Sequence, residues 1–220
     1  MISKFDAVAF DMDGTLLDSM GYWRRMNTDF LKKHNLTAPE EIRADLTTMS
    51  SRVCADRFAK AYDIGMTAQD IMAEYRDYML RYYETVILPK PGAMAYVDQL
   101  HAQGIRTCVA TAVPETLAIA GLSRHGFLPK MEFIASSFDL GLGKEDAPYF
   151  HCVADRLGVP IHRCVMFEDA LYAMRGARKA GMQVYGIADP TQAWSEDECR
   201  SLCDVFVENY AQLLINQVNG

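Results

Sequence analysis

The apolar run Val8-Ala9-Phe10 delivers two aspartates, spaced i and i+2, onto a glycine turn: Asp11-Met12-Asp13-Gly14-Thr15. No other feature of the chain constrains its fold as strongly. A strand points successive side chains to opposite faces, so Asp11 and Asp13 return to the same side and converge on one centre. In an open α/β sheet, ligands bind at the carboxyl ends of the strands, where these two residues fall. Gly14 lets the chain turn away without a Cβ clash. Two carboxylates facing one centre repel, and their hard oxygens suit a divalent cation such as Mg²⁺. The same residues also read more plainly, as an acidic turn in which one aspartate caps the next helix.

Beyond Asp13 the pattern turns helical. Residues 20–33 carry Trp23, Met26, Phe30 and Leu31 at helical spacing. A short helix is expected over 39–46 and another over 51–62. Thr67, with Asp70 three residues later, caps a further helix through Ile71, Tyr75, Tyr78, Met79 and Tyr82. The tyrosines of that stretch sit at helical spacing and read as packing rather than as a nucleic-acid surface. Pro89 and Pro91 break the pattern. From there helices (93–103, 114–125, 146–157, 170–180, 193–202) alternate with strands (105–110, 132–135, 164–167, 183–187, 204–207). Regular alternation implies a parallel sheet wrapped by helices. The expected fold is therefore α/β: a Rossmann-like parallel-sheet core from residues 1–18 and 91–220, with an all-helical domain, residues 19–90, inserted after the first strand.

Composition narrows the function. The 220 residues carry a formal charge of −7, which disfavours nucleic acid and anionic membrane as partners. No apolar stretch approaches the roughly 20 residues that cross a bilayer. The first residues lack the pattern of a signal peptide, so a cytoplasmic protein is expected. The six cysteines are scattered, with no Cys-x-x-Cys, and read as buried reduced thiols.

Three later sites fall at the ends of expected strands. Thr111 and Ala112 precede a helix start, where a hydroxyl and backbone N–H groups suit a phosphate; alternatively Thr111 caps that helix. Lys144, in Gly141-Leu142-Gly143-Lys144, places an ammonium where it can neutralise phosphate and carboxylate charge; a loop lysine is more often a solvated surface charge. Glu168-Asp169 either completes a metal site with Asp11 or caps the following helix.

The order Asp-x-Asp-Gly-Thr, Thr, Lys, Glu-Asp at successive strand ends resembles the four motifs of the haloacid dehalogenase superfamily, and the resemblance covers nearly the whole chain. Within it, Asp11 to Ser19 is similar to the first motif of the phosphatase branch. Glu168-Asp169, with the helix reaching Ala177-Arg178-Lys179-Ala180-Gly181-Met182, is similar to the fourth. The helical block resembles the small cap of the β-phosphoglucomutase and phosphoglycolate phosphatase relatives. The resemblance implies that Asp11 is the nucleophile and Asp13 the general acid and base. It implies that Thr111, Ala112 and Lys144 bind the phosphoryl group. Mg²⁺ would be held by Asp11, Asp13 (through its backbone carbonyl) and Asp169, with Glu168 as a further ligand or partner. The chain departs from the family in two places. The third motif reads Lys144-Glu145-Asp146-Ala147-Pro148 in place of Lys-Pro-x-Pro. The fourth has Ala170 in place of serine, which removes a hydroxyl beside the metal carboxylates, and Met174-Arg175 where a Gly-Ile often stands.

The expected function is a Mg²⁺-dependent phosphatase acting on a small phosphorylated metabolite, a phosphosugar or a phosphoglycolate-like acid, through an aspartyl-phosphate. The alternatives are a β-phosphoglucomutase-like phosphomutase and a noncatalytic metabolite-binding protein on the same scaffold. Substrate choice is expected from the cap, with residues 47–52 as a contacting loop and Arg52 pairing a second anionic group. Cap closure is expected to hinge near 19–21 and 89–92. A monomer or weak dimer is expected.

Overall fold

A strand covered on both faces needs no polar alternation, and Ala7–Phe10 (β1) is apolar and buried throughout. In the computed structural model, which describes residues 5–43, 46 and 50–215, five more strands follow: Arg106–Thr111 (β2), Ile134–Ser136 (β3), Cys164–Glu168 (β4), Gln183–Ile187 (β5) and Val205–Val207 (β6). They form one six-stranded sheet in the order β3-β2-β1-β4-β5-β6, and every pairing is parallel. Strand order reverses direction at β1, which therefore marks the topological switch point.

Ten α-helices are described: α1 (Met20–Lys33), α2 (Ser51–Ala61), α3 (Ala68–Thr85), α4 (Ala93–Ala102), α5 (Glu115–Ser123), α6 (Ser137–Leu140), α7 (Ala147–Leu157), α8 (Leu171–Ala180), α9 (Glu196–Leu202) and α10 (Ala211–Ile215). The chain divides into two compact units. One runs up to Asp18 and resumes at Ile87, and the other is Ser19–Val86.

In the sheet unit the core joins the apolar faces of the strands to α7 and α8, through Tyr149, Phe150, Val153, Met174 and Ala177 among others. Residues 87–90 are tied to the chain leaving β1. The Asp18 N–H donates to the Leu88 carbonyl at 2.8 Å and the Lys90 N–H to the Leu16 carbonyl at 2.9 Å. Lys90 is buried and donates to Asp189 Oδ2 at 2.6 Å. Burial alone would raise the Asp189 carboxyl. The Lys90 ammonium and the Thr191 donors outweigh it and hold that carboxyl below its ordinary value.

Beneath the ends of β1 and β4 lies an aromatic cluster. Phe10 and Phe167 meet at 5.0 Å between centroids, and Tyr210 stacks on Phe167 at 5.7 Å. Tyr210 is fully buried and its hydroxyl has no hydrogen-bond partner among the described residues. An unpaired buried hydroxyl costs stability. Tyr210→Phe is therefore expected to raise the free energy of unfolding by about 1 kcal/mol in urea titrations. A loss of that size would show that the hydroxyl is bonded in solution.

The Ser19–Val86 unit is helical, with Phe30 stacked on Phe58 at 5.7 Å and edge-on to Tyr75 at 5.5 Å. Thr67 and Asp70 form the expected capping box at the start of α3. Within the helix expected over 39–46, Glu40–Ile42 form a 3-10 turn, and residues 44 and 45 lie outside the described residues. Residues 47–49 of the expected substrate loop lie outside the described residues. The helix expected over 193–202 divides as well. Asp189 accepts from the Thr191 N–H and starts a 3-10 turn at Pro190, and α9 begins only at Glu196. Helix α6 is too short to show a period in the sequence.

Candidate active site

The register β1–β4 pairs Phe10 with Phe167, so Asp11 and Glu168 leave adjacent strands side by side. The Asp11 N–H still donates to the Phe167 carbonyl, at 2.9 Å. After Asp13 the chain folds back on itself: the Leu17 N–H donates to the Met12 carbonyl and the Gly14 N–H to the Leu17 carbonyl. Gly14 makes this turn at φ 86°, as its place in the sequence requires. The turn brings Thr15 across to the fourth strand, where its hydroxyl donates to Asp169 Oδ1 at 3.4 Å.

Lys144 arrives from the loop after α6 and is buried at 2 % exposure. Its ammonium donates to Asp11 Oδ1 and to Glu168 Oε2, each at 2.7 Å. The surface-charge reading of this lysine fails on that burial. Glu168 Oε1 accepts from the Asp169 and Ala170 N–H groups, both at 3.1 Å. One Glu168 oxygen therefore satisfies backbone donors before α8 while the other holds the lysine.

Three buried carboxylates, Asp11, Glu168 and Asp169, have oxygens within 4.8 Å of one another, against the single ammonium of Lys144. Burial first, then the charge of Glu168, pushes the Asp11 carboxyl up to about 8, against the pull of Lys144. Asp169 is raised as well, by burial and then by the charges of Glu168 and Asp11. Burial opposes the charge on Lys144, but Asp11 and Glu168 hold its pKa well above the ordinary value. Asp169 Oδ2 is buried with no hydrogen-bond partner among the described residues. A surplus of buried acidic groups over basic ones and an orphaned carboxyl oxygen fit a hard divalent cation, which would replace the protons these groups otherwise keep.

Thr111 ends β2 next to β1 and is buried, its hydroxyl accepting from the Val113 N–H at 3.3 Å. Ala112 beside it is exposed. Asp13 is half-buried and close enough to raise the Asp11 carboxyl further. Arg52 lies in the other unit, on α2, where it is exposed and 3.9 Å from Asp56. Sequence reasoning missed Thr15 as a partner of Asp169. It also missed Tyr172, half-exposed on the first turn of α8, a neutral phenol whose titration is pushed up by burial against the pull of Lys144. Neither role leaves a local pattern, because each depends on which strands become neighbours.

The family model for haloacid dehalogenase-like hydrolases matches residues 5–181. Hexitol phosphatase A of Escherichia coli is 29% identical over 216 residues, covering 96% of this chain and 94% of that protein. A probable pseudouridine-5'-phosphatase of Drosophila melanogaster is 26% identical over 199 residues, covering 86% and 84%. Among solved structures, CbbY from Rhodobacter sphaeroides in complex with phosphate superposes with a TM-score of 0.78 at 23% identity, covering 95% and 96%.

Proposed function

This chain belongs to the haloacid dehalogenase-like hydrolases, and on that premise we propose that it is a Mg²⁺-dependent phosphatase of small phosphorylated metabolites, working through a phosphorylated Asp11. The observation that carries the proposal is the buried cluster of Asp11, Glu168 and Asp169 around Lys144, at the carboxyl ends of β1 and β4.

Phosphoryl transfer asks a protein chiefly for positioning and for neutralisation of charge. The Asp11 carboxylate, fixed by Lys144, attacks phosphorus and the ester P–O bond breaks. Asp13 gives its proton to the departing alcohol. Asp13 then takes a proton from water, which attacks the aspartyl-phosphate, frees inorganic phosphate and restores Asp11. Thr111, the Ala112 N–H and Lys144 bind the phosphoryl oxygens. Mg²⁺ bound to the Asp11 and Asp169 carboxylates and the Asp13 carbonyl would neutralise charge between enzyme and phosphate. Glu168 already uses both oxygens, and its part is to hold Lys144 beside Asp11. Thr15, whose hydroxyl donates to Asp169 Oδ1, orients that carboxylate.

The named relatives are a hexitol phosphatase and a probable pseudouridine-5'-phosphatase, which supports a sugar-like monoester as the substrate class. The test is phosphate release from a panel of hexose, hexitol, pentose, nucleoside and glycolate phosphates, with Mg²⁺ and with EDTA. Metal-dependent release from one or a few polyol or sugar phosphates is expected. A well-folded sample releasing phosphate from none of them overturns the proposal.

A further inference from the structure

The loop that carries Lys144 has Glu145 directly after the lysine and packs closely against the face of α8. A Cβ built on Gly176 would collide with the carbonyl oxygen of Lys144, and would lie 2.8 Å from Phe150 Cε2 and 3.0 Å from the Glu145 carbonyl carbon. The first contact is one that no real Cβ tolerates, and the second meets a ring that is itself fully buried. The loop backbone rests on the bare Cα of α8.

Further contacts tighten the same loop. Lys179, on the last turn of α8, donates to the Glu145 carbonyl at 3.1 Å. The Asp146 N–H closes a turn onto the Gly143 carbonyl at 3.2 Å. The Glu145 side chain folds over Gly143, where a Cβ would sit 2.5 Å from its carboxyl carbon. The ammonium at the other end of Lys144 must reach Asp11 and Glu168 together, both at 2.7 Å. Hydrogen bonds of that kind do not survive a displacement of about 1 Å.

We propose that Gly176 is a positioning residue for Lys144: by carrying no side chain it seats the 143–146 loop against α8 and sets the ammonium between Asp11 and Glu168. This rests on the functional reading above, in which Lys144 binds phosphoryl oxygens.

The test is a double-mutant cycle on the full chain, read as the affinity for inorganic phosphate in the presence of Mg²⁺ by calorimetry, with kcat measured alongside. Gly176→Ala is expected to weaken phosphate binding and to lower kcat by about tenfold each, as one lost charged contact does. In a Lys144→Met background the same change is expected to cost less than about twofold, because its only route to the phosphate is gone. Equal losses in both backgrounds, or no loss in the folded single variant, overturn the proposal.

Should Gly176→Ala not fold, Lys179→Met loosens the same loop from the surface. A loss of phosphate affinity that disappears in the Lys144→Met background then supports the proposal, and unchanged affinity overturns it. Lys144→Met without effect on phosphate overturns the functional reading and the positioning role together. Lys144→Met weakening phosphate while Gly176→Ala does not overturns the positioning role alone.

Discussion

Replacing Asp11 by asparagine is expected to lower turnover by about four orders of magnitude or more, with the fold intact. The two halves of that result have one cause. Asp11 lies at 5 % exposure, shares a single ammonium with Glu168, and is close to Asp169. Its carboxylate is held in a place that disfavours charge, and its carboxyl is accordingly raised to about 8. An amide of the same shape removes the nucleophile and also removes part of the repulsion. Metal-free Asp11→Asn should therefore melt no lower than the native protein at slightly alkaline pH. Turnover at or above about a tenth of the native rate would refute Asp11 as the nucleophile. A large loss of stability would refute the charge imbalance described for the site.

Withdrawal of Mg²⁺ is the second large effect. EDTA is expected to abolish phosphate release, and Asp169→Asn to reduce it by two orders of magnitude or more, because its orphaned oxygen is the open donor of the cluster. The metal should also stabilise the fold. At about 100 times its dissociation constant, a ligand of the folded state contributes about 2.7 kcal/mol.

The pH dependence has a definite sign. In the folded metal-free protein Asp11 keeps its proton up to about pH 8, whereas its ordinary value is 3.8. Between about pH 4 and 8 the folded state thus holds a proton that the unfolded state has released, and metal-free stability falls as pH rises through that window. Mg²⁺ would compete with that proton, so its binding is expected to strengthen with pH. The rise in Tm on adding Mg²⁺ should be small near pH 5 and large near pH 8. Thermal shift at the two pH values, at fixed Mg²⁺, reads this directly. A shift of the same size at both would contradict the site electrostatics.

How much of this was legible in the sequence follows from the range of the interactions. Apolar runs and helical periods are local, so β5 is read over its own residues 183–187 and α1 over 20–33, while β4 runs one residue past its expected end to include Glu168. The resemblance at successive strand ends already grouped Asp11, Lys144, Glu168 and Asp169, and Thr67–Asp70 announced its own cap. What stayed hidden was the partner of each group. Glu168 reads in the sequence as a metal ligand or a cap, and only the neighbouring of β1 and β4 reveals that it grips Lys144. Thr15 reaches Asp169 across 154 positions of chain. Gly176 looks like one more small residue beside Ala173, Ala177 and Ala180 of its helix until the Lys144 carbonyl is seen resting on it. The pairing of Lys90 with Asp189 is equally silent, since neither residue belongs to a pattern.

The central claim, that phosphate passes through a covalent bond to Asp11, has a direct test. Asp13→Asn should still accept the phosphoryl group from an activated monoester such as para-nitrophenyl phosphate, whose leaving group needs no proton, yet release it slowly. The variant is mixed with that ester and Mg²⁺, quenched in acid and reduced with borohydride, which converts an acyl phosphate to the alcohol. Peptide mass spectrometry is then expected to find the reduced side chain at position 11 and at no other carboxylate. Continued phosphate release with no reduced peptide, or with the label on another residue, would contradict the account.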